Sequence, residues 1–200
     1  MNEMDYEKYL NIQTAEFQVG FPKGYHYHRY EPTPYEALDQ LFKVFQLPNQ
    51  ACCVDIGCGK GRVPIYLYEK FKVPTKGIEM NEKFFNDAQL NKVMYMQKKR
   101  KKSLPIEFMY MLGEDYNIQH EDNVFFFFNP FSVHIFRKIV ANILKSYEQY
   151  PRTLQLILYY PSLDFLTFLN QQVIFKVKCE VSLGDVKNEN ERIVVFELNY

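Results

Sequence analysis

The stretch VDIGCGKGR, residues 54–62, places three of the chain's eight glycines within five positions, directly after an apolar run. Glycine lets a backbone take a positive φ or approach another group closely. Glycines gathered in this way predict a tight turn between a buried strand, ACCVDI, and a helix, RVPIYLYEKF. The same strand-then-helix order then repeats. TKGIE reads as a second strand, followed by a long helix from Asn81 through KKRKK. PIEFMYM and NVFFFF are the third and fourth strands, SVHIFRKIVANILKSYEQY the next helix, and TLQLILYY the fifth strand. A helix at about 162–170 leads to VIFKVKCEVSL and RIVVFELN, two runs joined by the polar loop GDVKNENE, which read as an antiparallel hairpin. The alternation gives right-handed βαβ units, and therefore a doubly wound α/β sandwich with a mostly parallel sheet.

The N-terminal part is punctuated differently. Residues 1–14 have Tyr6, Tyr9 and Leu10 at helical spacing, and residues 20–32 form a Gly/Pro-flanked aromatic loop. TPYE then predicts a helix with Thr33 as N-cap, Pro34 at the first position and Glu36 closing a capping box. That helix runs to about Gln46, burying Leu38, Leu41, Phe42 and Phe45. We divide the chain into 1–32, a helix and lid-like loop, and 33–200, the main domain.

Composition narrows the function classes. Lys plus Arg equals Asp plus Glu at 24 each, so no global field selects a polyanion or an anionic membrane. No apolar run is long enough for a membrane span, and the acidic start MNEMDYEKYL is unlike a secretory signal. The cysteines, at 52, 53, 58 and 179, have no C-x-x-C spacing; Cys52 and Cys53 would face opposite sides of a strand. These features point to reduced thiols and a cytoplasmic location. The pair His26 and His28 has no third metal ligand in its motif, so no metal site is expected.

The glycine turn sits where open α/β sheets bind ligands, at the carboxyl end of a strand. A phosphate loop is excluded because no Lys–Ser/Thr pair follows, and G-x-G-x-x-G fails because Arg62 holds the sixth position of GCGKGR. What remains is D-x-G-x-G-x-G: Asp55, Gly57, Gly59 and Gly61. This resembles motif I of the class I S-adenosylmethionine-dependent methyltransferases. The resemblance implies a Rossmann-like sheet of order 3-2-1-4-5-7-6 and S-adenosyl-L-methionine as cofactor. It places the methionine moiety over Gly57, Cys58, Gly59 and Gly61, with Asp55 near its ammonium group. Glu79, ending the second strand, matches the acid that accepts the ribose hydroxyls, and Met80 would lie against the adenine. After the third strand, either Glu114 or Asp115 of GEDY would read the adenine amino group; spacing does not separate them.

The acceptor side rests on FFFFNPFS. Asn129, Pro130 and Phe131 resemble the [DNS]-P-P-[YFW] motif of amino-group methyltransferases with one proline fewer. There the polar side chain orients the target nitrogen and the aromatic ring packs on its substituent. YEPTPYEAL, DIGCGKGR and GIEMNEKF together also resemble the seven-strand protein-lysine methyltransferases, in which Tyr30 and Thr33 would fold over the cofactor. Tyr25 and Tyr27 belong to a segment that is either a lid or exposed loop, and Tyr160 either lines the acceptor pocket or packs at the core edge. KKRKK, at a helix C-terminus and the far edge of the sheet, is read as dipole compensation and a solvated run, with an RNA or DNA contact as the alternative. The leading expectation is a methyltransferase acting on nitrogen, with a protein amine or small molecule as acceptor and the chain a monomer or homodimer. The alternatives are a nucleic-acid (rRNA or tRNA) methyltransferase and a non-catalytic cofactor-binding module.

Overall fold

The structure is a computed structural model and describes residues 1–15, 30–184, 188 and 190–198. Tyr25, Tyr27, His26, His28 and Arg29 lie outside the described residues, as does part of the loop after 184. The chain opens with α1 (Glu3–Leu10) and α2 (Tyr35–Val44). It continues through β1 (Cys53–Ile56), α3 (Arg62–Phe71), β2 (Thr75–Glu79), α4 (Glu82–Lys98) and β3 (Ile106–Tyr110). A short 3-10 turn (Gly113–Asp115) precedes β4 (Val124–Phe127), α5 (Val133–Gln149), β5 (Leu154–Tyr159) and α6 (Leu163–Gln171). The hairpin β6 (Lys176–Ser182) and β7 (Arg192–Leu198) closes the fold.

The strand order is β3-β2-β1-β4-β5-β7-β6, as the sequence resemblance implies. β3 through β5 pair in parallel, and β7 is antiparallel to both β5 and β6. Helices cover both faces, so the central strands β1, β4 and β5 are buried along their whole length rather than on alternate residues. In β4 the pleat sends Val124 and Phe126 into one core with α1, α2, α3 and α4, and Phe125 and Phe127 into the other with α5 and α6. β3 and β6 are the two edges; β6 is mostly exposed, and a register shift between Val177 and Cys179 breaks its ladder.

Asn81 caps α4 as its sequence predicts, its side chain accepting from the N–H groups of Lys83 (3.0 Å) and Phe84 (3.3 Å). α2 departs from expectation. Its cap is Pro34, with no side-chain bond, and its first orphan N–H, at Tyr35, donates to Glu3 Oε1 of α1 at 2.7 Å. Thr33 is not the cap because its carbonyl is held by Arg62 at 2.9 Å, leaving the helix to start later. The helix also stops at Val44, with Phe45 in extended geometry yet buried. The N-terminal helix is part of the core: Tyr6 stacks on Tyr35 with ring centroids 4.4 Å apart, and Leu10 and Ile12 are buried beside it. At the other end of the sheet, Lys99 pairs with Glu69 and lies 3.8 Å over the Tyr9 ring, while Lys98 donates to the Lys8 carbonyl. Those two cations of KKRKK fasten α4 to α1 and α3.

Gly61 shows why the turn needs glycine. Its φ is +83°, and a Cβ there would stand 2.5 Å from the Phe108 ring of β3 and 3.2 Å from Ala88 of α4. The third glycine is therefore a packing residue between the turn and its neighbouring strand. Gly61→Val is expected to lower stability by about 3 kcal/mol or more, the left-handed strain adding to an overpacked core. Thermal melting checks this; a variant that melts with the parent chain would overturn the packing assignment.

Candidate functional site

The chain runs outward from β1 to β3 and then returns to β4, so the strand order reverses between the parallel neighbours β1 and β4. A crevice opens at the carboxyl ends of strands flanking such a reversal. Here it is a cavity of about 620 Å³, within the range of small-molecule and cofactor sites. Its floor is Asp55, Ile56, Gly57 and Cys58; one side is Ile78, Glu79, Met80 and Phe84; the far end is Tyr110, Met111 and Gly113. Tyr30, Pro32, Thr33 and Arg62 close the N-terminal side, and Phe128, Pro130 and Phe131 close the side after β4.

Two buried carboxylates dominate its electrostatics. Glu79 is 7% exposed and Asp55 5%. Glu79 Oε2 accepts from the Gly59 N–H at 2.8 Å and Oε1 from the Asn81 N–H at 2.7 Å. One side chain thus fixes both the glycine turn and the start of α4. Burial raises the Glu79 pKa, opposed by those backbone donors. Asp55 is pushed well above the ordinary carboxylate range by burial and then by the Glu79 charge. The arrangement suits a ligand bringing positive charge and hydroxyl donors between two acids.

The glycines meet the protein's own side chains. A Cβ at Gly57 would stand 2.7 Å from Pro130, and one at Gly59 (φ +53°) would stand 2.2 Å from the Tyr30 ring. Tyr30 packs on Phe84 with ring centroids 4.8 Å apart and donates its O–H to the Thr14 carbonyl at 2.8 Å. Consequently Gly57 and Cys58 line the cavity, whereas Gly59 is roofed by Tyr30 and Gly61 is turned toward Phe108.

Of the other residues singled out in the sequence, Pro130 and Phe131 line the cavity, and Glu114, Asp115, Asn129 and Tyr160 stand outside its wall. Glu114 and Asp115, on the 3-10 turn, line a second cavity of about 310 Å³ with Tyr116, Asn142, Lys145 and Ser146. Their neighbour Gly113 faces the first cavity, so the short turn forms a partition between the two. Asn129 occupies the bend after β4 at φ +37°, a strained position for a side-chain-bearing residue. Phe131 is 4% exposed and sits within the second core near Phe127 and Phe165, touching the cavity from beneath. Tyr160 is turned to the hairpin, its N–H on the Arg192 carbonyl and its O–H 3.4 Å from Asn188. The cavity walls also include Arg62, Phe84, Tyr110, Met111 and Phe128, to which the sequence reading assigns no site role. Phe128 is only partly buried and packs at a tilt against Tyr159, ring centroids 4.4 Å apart. Its signal was the strand end itself, since an apolar residue just past a buried strand faces the crevice. Among the described residues, no group of three His, Cys, Asp or Glu could hold a metal ion.

The carboxylate pair predicts the pH behaviour of the ligand-free chain. A carboxyl whose folded pKa lies above its unfolded value keeps its proton in the folded chain after the unfolded chain has lost it. Stability therefore falls as pH rises through that window. Asp55→Asn removes the penalty, so its melting temperature should exceed the parent's at about pH 8, by about 2–4 °C per kcal/mol relieved. An unchanged or lower melting temperature there would show that Asp55 is held ionised without strain.

No protein-family model matches the sequence, nor does any curated protein. Solved structures do match. One is described as an RNA methyltransferase from Salinibacter ruber in complex with S-adenosyl-L-homocysteine; it has 17% identity and TM-score 0.62, over 84% of this chain and 94% of that one. A second is described as an rRNA methylase from Streptococcus thermophilus, with 14% identity and TM-score 0.57, over 83% and 96%. A third is the N-terminal domain of human METTL16 with S-adenosylhomocysteine, with 11% identity and TM-score 0.57, over 96% and 77%. At these identities the likeness concerns the fold, and with the strand order it leads to one statement: this chain has the Rossmann-like fold of the class I S-adenosylmethionine-dependent methyltransferases.

Proposed function

We propose that this chain is an S-adenosylmethionine-dependent methyltransferase acting on a nitrogen of RNA. The observation that carries the cofactor assignment is the pair of buried carboxylates, Asp55 and Glu79, at the ends of adjacent strands around a cavity of suitable size. The residues fit the group. Two acids suit its ammonium and ribose hydroxyls, the first half of the glycine turn leaves backbone open to it, and Met80, Phe84 and Met111 supply apolar contact for a base. When bound, the cofactor supplies an electrophilic methyl group on a sulfonium.

In this reading Glu79 accepts the ribose hydroxyls while keeping the Gly59 and Asn81 N–H groups, since each carboxylate oxygen has two lone pairs. Asp55 receives the ammonium. Asn129 accepts a hydrogen bond from the target amino group, aiming its lone pair at the methyl carbon, an alignment role that operates chiefly in the transition state. Phe128, rather than the core residue Phe131, offers its ring to the acceptor. The sequence alone put a protein amine or small molecule first. The structural neighbours described as RNA and rRNA methyltransferases support the nucleic-acid alternative instead.

Calorimetry with S-adenosylhomocysteine should show binding, weakened by about 2–3 kcal/mol in Glu79→Ala through loss of charge-assisted bonds. Labelled methyl groups should pass into the RNA fraction of a lysate. Label confined to protein would restore the amine reading, and a folded chain that binds no nucleoside would remove the assignment altogether. Within the acceptor wall, Phe131→Ala should cost about 3–5 kcal/mol of folding stability, as for other core aromatics. Phe128→Ala should instead raise the KM for RNA with little change in melting temperature. Asn129→Ala should lower kcat with cofactor affinity retained.

A further inference from the structure

Arg62, the residue that spoils the dinucleotide pattern, is 3% exposed and bonded almost to capacity. Nε donates to Thr14 Oγ1 at 2.6 Å, and Nη1 donates to Glu3 Oε2 at 2.6 Å and to the Thr33 carbonyl at 2.9 Å. Nη2 lies 3.4 Å from Glu7 Oε1, and the guanidinium rests 4.2 Å over the Tyr35 ring. Glu7 in turn accepts from the Thr14 N–H, the Thr14 hydroxyl and the Tyr35 hydroxyl. A planar fork of five donors serves these four acceptors at once, whereas an ammonium has only three donors.

What the fork holds is the covering of the cavity. Thr33 is fixed directly. Thr14, fixed by its hydroxyl, offers its carbonyl to the Tyr30 hydroxyl, and the Tyr30 ring lies on Gly59. A continuous run of contacts therefore joins α1, through Arg62, to the residues that overhang the glycine turn. We propose that Arg62 is a positioning residue for the nucleoside site: by tying Glu3, Thr14 and Thr33 together, it keeps residues 30–33 closed over the bound cofactor and slows its release. The proposal rests on reading the cavity as the cofactor site. It assigns α1, which contributes nothing to the cavity wall, a role in cofactor residence.

The test is a stopped-flow chase of bound S-adenosylhomocysteine from the full chain, at a temperature where each variant is folded by circular dichroism. Arg62→Lys should release it about tenfold faster, with the association rate little changed, because lost pre-organisation appears mainly in dissociation. Tyr30→Phe should also speed release. The double variant should be no faster than Arg62→Lys alone, since both act through the same contacts. Release at the parent rate, or accelerations that multiply in the double variant, would overturn the proposal. Should Arg62→Lys fail to fold, Glu3→Gln decides. Its side chain is half exposed and outside the cavity wall, and loss of its ion pair should still speed release about threefold. A parent-like rate in that variant would overturn the proposal. A parent chain that binds no S-adenosylhomocysteine would instead remove the cofactor reading, and this proposal with it.

Discussion

The site depends on one carboxylate reaching back across a turn. Glu79 ends β2, yet it takes the N–H of Gly59 from the loop after β1 and that of Asn81 at the start of α4. Bonds to an ionised acceptor are worth about twice neutral ones, and burial away from water protects them from competition. The loop after β1, the end of β2 and the start of α4 are thereby held at one point. The cost is also local: Asp55, on the adjacent strand, faces a second buried acid and is driven toward its neutral form. Order in the loop and electrostatic tension in the cavity have a common origin.

Much of this architecture was legible in the chain. RVPIYLYEKF and TKGIE mark α3 and β2 to the residue, because a glycine turn and a proline bound them. The apolar runs of β4 and β5 announced buried parallel strands, and Asn81 announced its helix. Local chemistry sets these features, so local reading finds them. The capping of α2 was not legible, because its cap comes from Glu3, far away in sequence. Thr33 had the right residue type but its carbonyl had another partner.

The site divides along the same line. Asp55, Gly57, Glu79 and Met80 line the cavity because strand ends and the turn between them dictate where they stand. Glu114 and Asp115 were named by type and approximate spacing, and a single 3-10 turn was enough to put them on the far side of Gly113. Arg62 was noticed only for the motif it broke. Its value lies in partners at positions 3, 7, 14 and 33, a convergence that no periodicity encodes.

The glycine turn has a kinetic consequence as well. Its three empty side-chain positions are filled by Tyr30, Phe108 and Pro130, which arrive from three separate stretches of the chain. Contacts between residues distant in sequence carry a large loop-closure cost and tend to form late. The turn therefore gains its final surroundings only after most of the sheet has assembled. Interactions absent from the transition state act on unfolding rather than on folding. Tightening this turn should lengthen the lifetime of the folded chain while leaving the speed at which it folds almost untouched.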